Sequence, residues 1–263
     1  LPYPFESMDR LLDKGDDLGT AHVKSEEYTE YILDRNIACR QLGIDLPSIR
    51  VGNVAERYSK DKVHNGKIPT TYFERDYIQG RSTNTIPLSA YQDKKFSIRF
   101  AKLLGRAAAP NIIVGRTNDK GEALFDDGDE VLTEDKTGMS MKVSDFTGSF
   151  TDCESDLKKF IPMYALPIIR RLNSIHDKRG FAKNYVNAFI KRFEEIKDTY
   201  RRRPGIYHFP FQSRDNMDGY NLVPKWQKVL DRLDKTDPYT LGYSMLEEIM
   251  KNIHWKNTIL LFN

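Results

Sequence analysis

The chain has 263 residues, 39% hydrophobic and 30% charged, with 41 Lys and Arg against 38 Asp and Glu for a formal net charge of +3. That composition excludes a disordered chain, and the near balance of signs argues against a dedicated nucleic-acid binder, which concentrates basic residues on one face. No apolar run approaches the roughly 20 residues that span a bilayer; the longest, FIPMYALPII at 160–169, carries two prolines.

Two cysteines, Cys39 and Cys153, are too few for a disulfide framework or a cysteine zinc site and read as small apolar fillers. The one tight basic run, YRRRP at 200–204, reads as a solvated helix end. No charged n-region followed by an apolar h-region occurs, which points to the cytoplasm. The chain starts at Leu1 and not at Met, so trimming is expected and a removed signal peptide stays open.

In chain order, residues 1–24 are irregular and rich in Gly and Asp. Ser25 caps a predicted helix whose Glu26 and Glu27 suit the positive N-terminus. Its apolar face runs Tyr28, Tyr31/Ile32, Arg35, Ala38/Cys39 and Leu42, and Gly43 sits where a left-handed C-cap belongs. SIRVGNV (48–54) and TTYFERDYI (70–78) predict strands, the second rich in β-branched and aromatic residues. Residues 89–105 predict a helix with Phe96, Phe100 and Leu103/Leu104 on one side. NIIVG (111–115) and EALFDD (122–127) predict two short strands joined at TNDKG. The rest reads helical, near 154–175, 182–202, 223–234 and 238–253, with Pro204, Pro224 and Pro238 at boundaries. The order predicts an α+β fold whose helices gather in the C-terminal half.

The chemistry concentrates in NIIVGRTNDKGEALFDDGDEVL (111–132). A hairpin there places Asn111, at the start of one strand, on the same edge as Asp126, at the end of the next. An amide oxygen with carboxylates is a hard-oxygen set of the kind that binds Mg²⁺ together with substrate phosphates. Asp-Asp-Gly-Asp is equally good turn chemistry, so a structural reading stands beside the metal reading.

The upstream order distinguishes them. A lysine, a helix with Glu27 and Glu30, Pro47, a strand, a strand ending in YIQG, a helix, Asn111 and FDDGD together resemble the protein-kinase-like superfamily in its atypical, phosphoinositide-type and secretory-pathway branches. The resemblance spans about residues 20–132. It implies a two-lobed kinase-like fold, with a reduced N-lobe over 1–80 and a mainly helical C-lobe over 81–263. It further implies ATP as ligand with Mg²⁺ (or Mn²⁺), and phosphotransfer to a protein, lipid or sugar acceptor. In that family a lysine and a helix glutamate hold the α- and β-phosphates, a hinge strand holds the adenine, and an Asn and an Asp carry metal. Carried over by position, Lys24 (with Lys14 as alternative) and Glu27 (then Glu30) hold phosphate, and YFERDYIQG is the hinge with Glu74, Asp76 and Ile78 beside the nucleotide. Asn111 and Asp126 are the metal ligands.

The family's catalytic aspartate has no counterpart. Its place, five residues before Asn111, is Arg106, and no Asp or His occurs from 94 to 110. Arg106 reads either as a helix cap or as a phosphate contact. Lys24 lies only three residues before Glu27, and residues 1–23 are short for a glycine-rich lid, of which KGDDLG is a remnant. Three functions follow: a phosphotransferase in which Asp127 or Asp129 orients the acceptor hydroxyl; a pseudokinase that binds nucleotide without transfer; and an interaction domain that binds none.

Other motifs give less. DKGEALFDDGDE (119–130) has the length of an EF-hand loop, but Gly121 and Ala123 stand where oxygen ligands belong. No histidine pair has metal-ligand spacing, and no G-x-S-x-G occurs. GRSTNT (80–85) is a polar loop. The aromatic stretch at 208–226 reads as packing on the helical part or as a partner surface, and IHWKNTILLFN as a buried terminus or a dimer contact.

Overall fold

A computed structural model of the chain describes residues 33–47, 49–53, 71–75, 78–117, 121–122, 124–126, 128–136, 138–144, 149–207 and 222–259. Residues 33–41 are helical (α1) and bury Arg35, Ala38, Cys39 and Leu42 at helical spacing. Gly43 closes the turn at φ +82, the left-handed conformation that glycine adopts without strain. Strands β1 (Ile49–Asn53) and β2 (Thr71–Arg75) pair antiparallel as a separate two-stranded ribbon. Strand β3 (Arg81–Ser82) follows Gly80 and joins a second antiparallel sheet in the order β3-β4-β5, with β4 at Glu130–Asp135 and β5 at Gly138–Val143.

The helices α2 (Lys94–Ile113), α3 (Ile161–Arg171), α4 (Lys178–Arg202), α5 (Val223–Lys235) and α6 (Pro238–Ile259) form the larger part. Aspartates start three of them. Asp93 Oδ1 accepts from the Phe96 N–H at 2.8 Å, Asp177 Oδ1 from Gly180 at 2.8 Å, and Asp237 Oδ2 from Thr240 at 2.9 Å. Helix α2 packs along α4, and α6 lies against both α3 and α4. Their shared core carries Phe100, Leu104, Tyr164, Tyr185, Phe189 and Phe193, all essentially buried. The fold is thus mixed α and β, mostly helical, with small antiparallel sheets. Among the described residues no helix is long and apolar enough to cross a membrane. Cys39 and Cys153 are free and buried, and burial pushes both thiols up to about 11.

One expectation is overturned here. Asn111 begins no strand: α2 runs through Pro110 and ends at Ile113, and the described residues of EALFDD, Glu122 and Leu124 to Asp126, form no strand. The 111–127 hairpin is therefore absent, and Asn111 and Asp126 do not oppose one another on a strand edge. The reason is tertiary. The buried stripe Phe100, Leu104, Ala108, Ile112 continues at four-residue spacing, so burying it against α4 outweighs the β preference of Ile112-Ile113-Val114 and the cost of a proline inside the helix at Pro110. Among the described residues the turn keeps a backbone bond from the Leu124 N–H to the Arg116 carbonyl at 3.1 Å. The hairpin lies further on, at β4–β5, where Asp135 Oδ1 accepts from the Gly138 N–H at 3.2 Å.

Candidate functional site

Asp126 is the centre of a buried charge cluster. Its backbone is left-handed, at φ +58, and its side chain is 2% exposed. Both carboxylate oxygens are taken by one guanidinium: Arg171 Nη1 donates to Oδ2 at 2.6 Å and Nη2 to Oδ1 at 2.9 Å. Arg171, the last residue of α3, also donates from Nε to the Tyr91 hydroxyl at 2.8 Å, from Nη1 to the Pro167 carbonyl at 2.7 Å and from Nη2 to the Thr83 carbonyl at 3.1 Å. The five N–H donors of the guanidinium thus meet five acceptors. The group also lies over the rings of Tyr91 and Phe100, at 5.5 and 5.2 Å from their centroids. Burial pushes the Arg171 pKa down, but the bonds to Asp126 outweigh this and hold it above its ordinary value; burial raises the Tyr91 phenol.

A second guanidinium continues the cluster. Arg116, just past the end of α2 and fully buried, donates from Nη1 to Glu130 Oε1 at 3.0 Å and from Nη2 to Asp129 Oδ2 at 2.5 Å. Glu130 Oε2 in turn accepts the Asp126 backbone N–H at 2.7 Å. The acidic knot is therefore stitched to two arginines, in the order Arg171, Asp126, Glu130, Arg116, Asp129. Ser82 Oγ donates to the Gly128 carbonyl at 2.8 Å, which ties the 80–85 loop to the same knot.

No family model, curated protein or solved structure matches the chain.

The site is thus judged on its own geometry. Asn111 is fully buried on α2; its Nδ2 donates to the Ala107 carbonyl at 2.8 Å, and its Oδ1 makes no hydrogen bond among the described residues. It lines a cavity of about 270 Å³ with Arg106, Arg192, Asp45, Ser140 and Gly43, and Asp126 is not among the lining residues. The two expected metal ligands thus sit in different surroundings, Asn111 on a cavity wall with Arg106 and Asp126 on the Arg171 guanidinium. Arg106 lies inside α2 and caps no helix end. Its guanidinium grips Glu195 of α4 at 3.0 and 3.3 Å and is 43% exposed. Arg192 Nη1 holds the same carboxylate at 3.1 Å, and the two cations keep the Glu195 carboxyl below its ordinary range despite its partial burial. Glu74 lies in β2 with its Cα opposite Arg50, and Ile78 is half-buried ahead of β3. Lys14, Lys24, Glu27, Glu30, Asp76 and Asp127 lie outside the described residues.

A magnesium set does not fit this arrangement. Mg²⁺ keeps several waters in near-octahedral geometry, whereas Asp126 is closed off from solvent with both oxygens on a guanidinium. Asp129 is engaged by Arg116. Among the described residues no three His, Cys, Asp or Glu side chains gather as a metal site. Three members of the cluster, Arg171, Arg116 and Tyr91, escaped the sequence reading. Arg171 stands 45 residues from Asp126, and no local pattern signals such a pair. Arg116 had a weak signal, as a lone cation directly after the apolar run IIVG.

Proposed function

We propose that this chain is a kinase-like domain that acts by binding, as a pseudokinase-type nucleotide-binding or scaffold protein, and does not transfer phosphate. The chain order of α1, the ribbon strand β2, the β3 loop, α2 and the acidic knot supports the two-lobed kinase-like arrangement as a reading. One observation carries the loss of transfer. The place that would hold the catalytic aspartate is Arg106, in the interior of α2, with its side chain bound to Glu195. A guanidinium cannot accept the proton of an acceptor hydroxyl. Of the two candidate replacements, Asp129 is held by Arg116 at 2.5 Å, and Asp127 lies outside the described residues.

The test is a pair of measurements on the full chain. The expected results are a rise in melting temperature with ATP, because a ligand that binds only the folded state stabilises it, and ATP consumption in Mg²⁺ or Mn²⁺ no faster than that of Asp129→Asn. Turnover that either Asp129→Asn or Asp127→Asn abolishes would return the phosphotransferase reading. No shift with any nucleotide would favour the interaction domain.

A further inference from the structure

We propose that Arg171 is the built-in cation of the Asp126 site, so that this site takes up no divalent metal and ligand binding there needs none. The second part of this inference rests on the nucleotide-binding reading above.

The bonding of the guanidinium carries it. Arg171 is 5% exposed, and all five of its donors are used. Two of them bracket the Asp126 carboxylate in the fork geometry that matches it. The others fix the group to three different parts of the chain: Thr83 in the loop after β3, Tyr91 ahead of α2, and Pro167 within α3. The 80–85 loop directly follows the expected hinge, and the acidic knot carries the expected metal ligand Asp126. Here they meet on this one side chain, with Ser82 bonded to Gly128 as a second clasp. Arg116 gives one Nη to each of Asp129 and Glu130, and so offsets one of their two negative charges. A divalent ion reaching Asp126 would have to displace a guanidinium enclosed by Tyr91 and Phe100, and would stand beside a charge of its own sign. The side chain therefore supplies, permanently and from within, the positive charge that a metal supplies elsewhere.

The test follows free Mn²⁺ by electron paramagnetic resonance in the presence of the full-length wild type, Asp126→Asn, Arg171→Gln and the double variant, without nucleotide. Melting curves with ATP in EDTA and in Mg²⁺ accompany it, and circular dichroism checks folding. The wild type is expected to leave the Mn²⁺ signal unchanged and to give the same ATP shift in both buffers. Arg171→Gln is expected to take up one Mn²⁺ per chain, and the double variant to lose it. Mn²⁺ uptake by the wild type that Asp126→Asn removes would overturn the proposal. So would an ATP shift that vanishes in EDTA, or a folded Arg171→Gln that binds no Mn²⁺. If Arg171→Gln does not fold, the wild-type measurements decide. An absent ATP shift in both buffers would count against the nucleotide reading alone, because the Mn²⁺ measurement still judges Arg171.

Discussion

At the scale of single residues, the acidic knot is governed by desolvation. A carboxylate that is 2% exposed, such as Asp126, is tolerable only beside a cation that is itself fully hydrogen-bonded. Arg171→Met strands that charge, and the expected cost is about 3–5 kcal/mol in a urea titration. Pairing it with Asp126→Asn removes the stranded charge with a residue that tolerates the left-handed backbone at φ +58, and is expected to recover part of the loss. Asp152 illustrates a carboxylate that is only partly buried, at 16% exposed. Burial tends to raise it, but the Ser155 N–H and hydroxyl and the Lys159 ammonium outweigh this and hold it at about 2, against an ordinary value of 3.8. A carboxyl lowered in the folded state stabilises above its unfolded pKa and loses that contribution as pH falls. The stability advantage of wild type over Asp152→Asn is therefore expected to shrink between about pH 4 and about pH 2, followed by thermal melts.

At the scale of elements, the contact between α2 and α4 organises the helical part. Gly105 reads from sequence as the end of a helix, yet α2 continues for eight residues beyond it. Its role is close approach: a Cβ there would lie 2.1 Å from the Tyr185 carbonyl of α4. In an exposed helix Gly→Ala gains up to about 1 kcal/mol. Gly105→Ala is instead expected to destabilise by about 1–3 kcal/mol, because the two helix backbones must separate. Gly205→Ala, where an added Cβ meets nothing within 4 Å, is the control expected to stay near neutral. The same contact explains the misplaced strand at 111–114, since the stripe that faces α4 and the core carries Asn111 and Ile112 along with it.

At the scale of the whole molecule, charge is dispersed. Arg106 pairs with Glu195, Arg201 with Asp234, Arg202 with Asp198 and Lys251 with Glu248, so much of the exposed positive charge is answered by a neighbour. The basic run at 200–204 is a helix end of this kind. Each exposed pair adds little to stability, and over the whole chain 41 Lys and Arg stand against 38 Asp and Glu, for a formal net charge of only +3. Binding to labelled DNA is therefore expected to disappear at physiological salt in an anisotropy titration; retained affinity with a steep salt slope would refute this reading.

By itself the sequence determined the helical content and many element boundaries. The stripe around Arg35, Ala38/Cys39 and Leu42, the cap at Gly43, the two ribbon strands and the C-terminal helices with their proline boundaries are local patterns, set by 3.6- and 2-residue periods and by backbone conformation. The sequence also singled out the acidic knot as a place of concentrated charge. Only the tertiary structure decided what the knot binds to. Burial kept 111–113 helical against its β preference, set Asn111 and Asp126 in different surroundings, and brought Arg171 across 45 residues to close on the carboxylate. The physical reason is one of range. Periodicity and capping are read within a few residues, whereas the partner of a buried charge is chosen by whichever distant element removes it from water most completely.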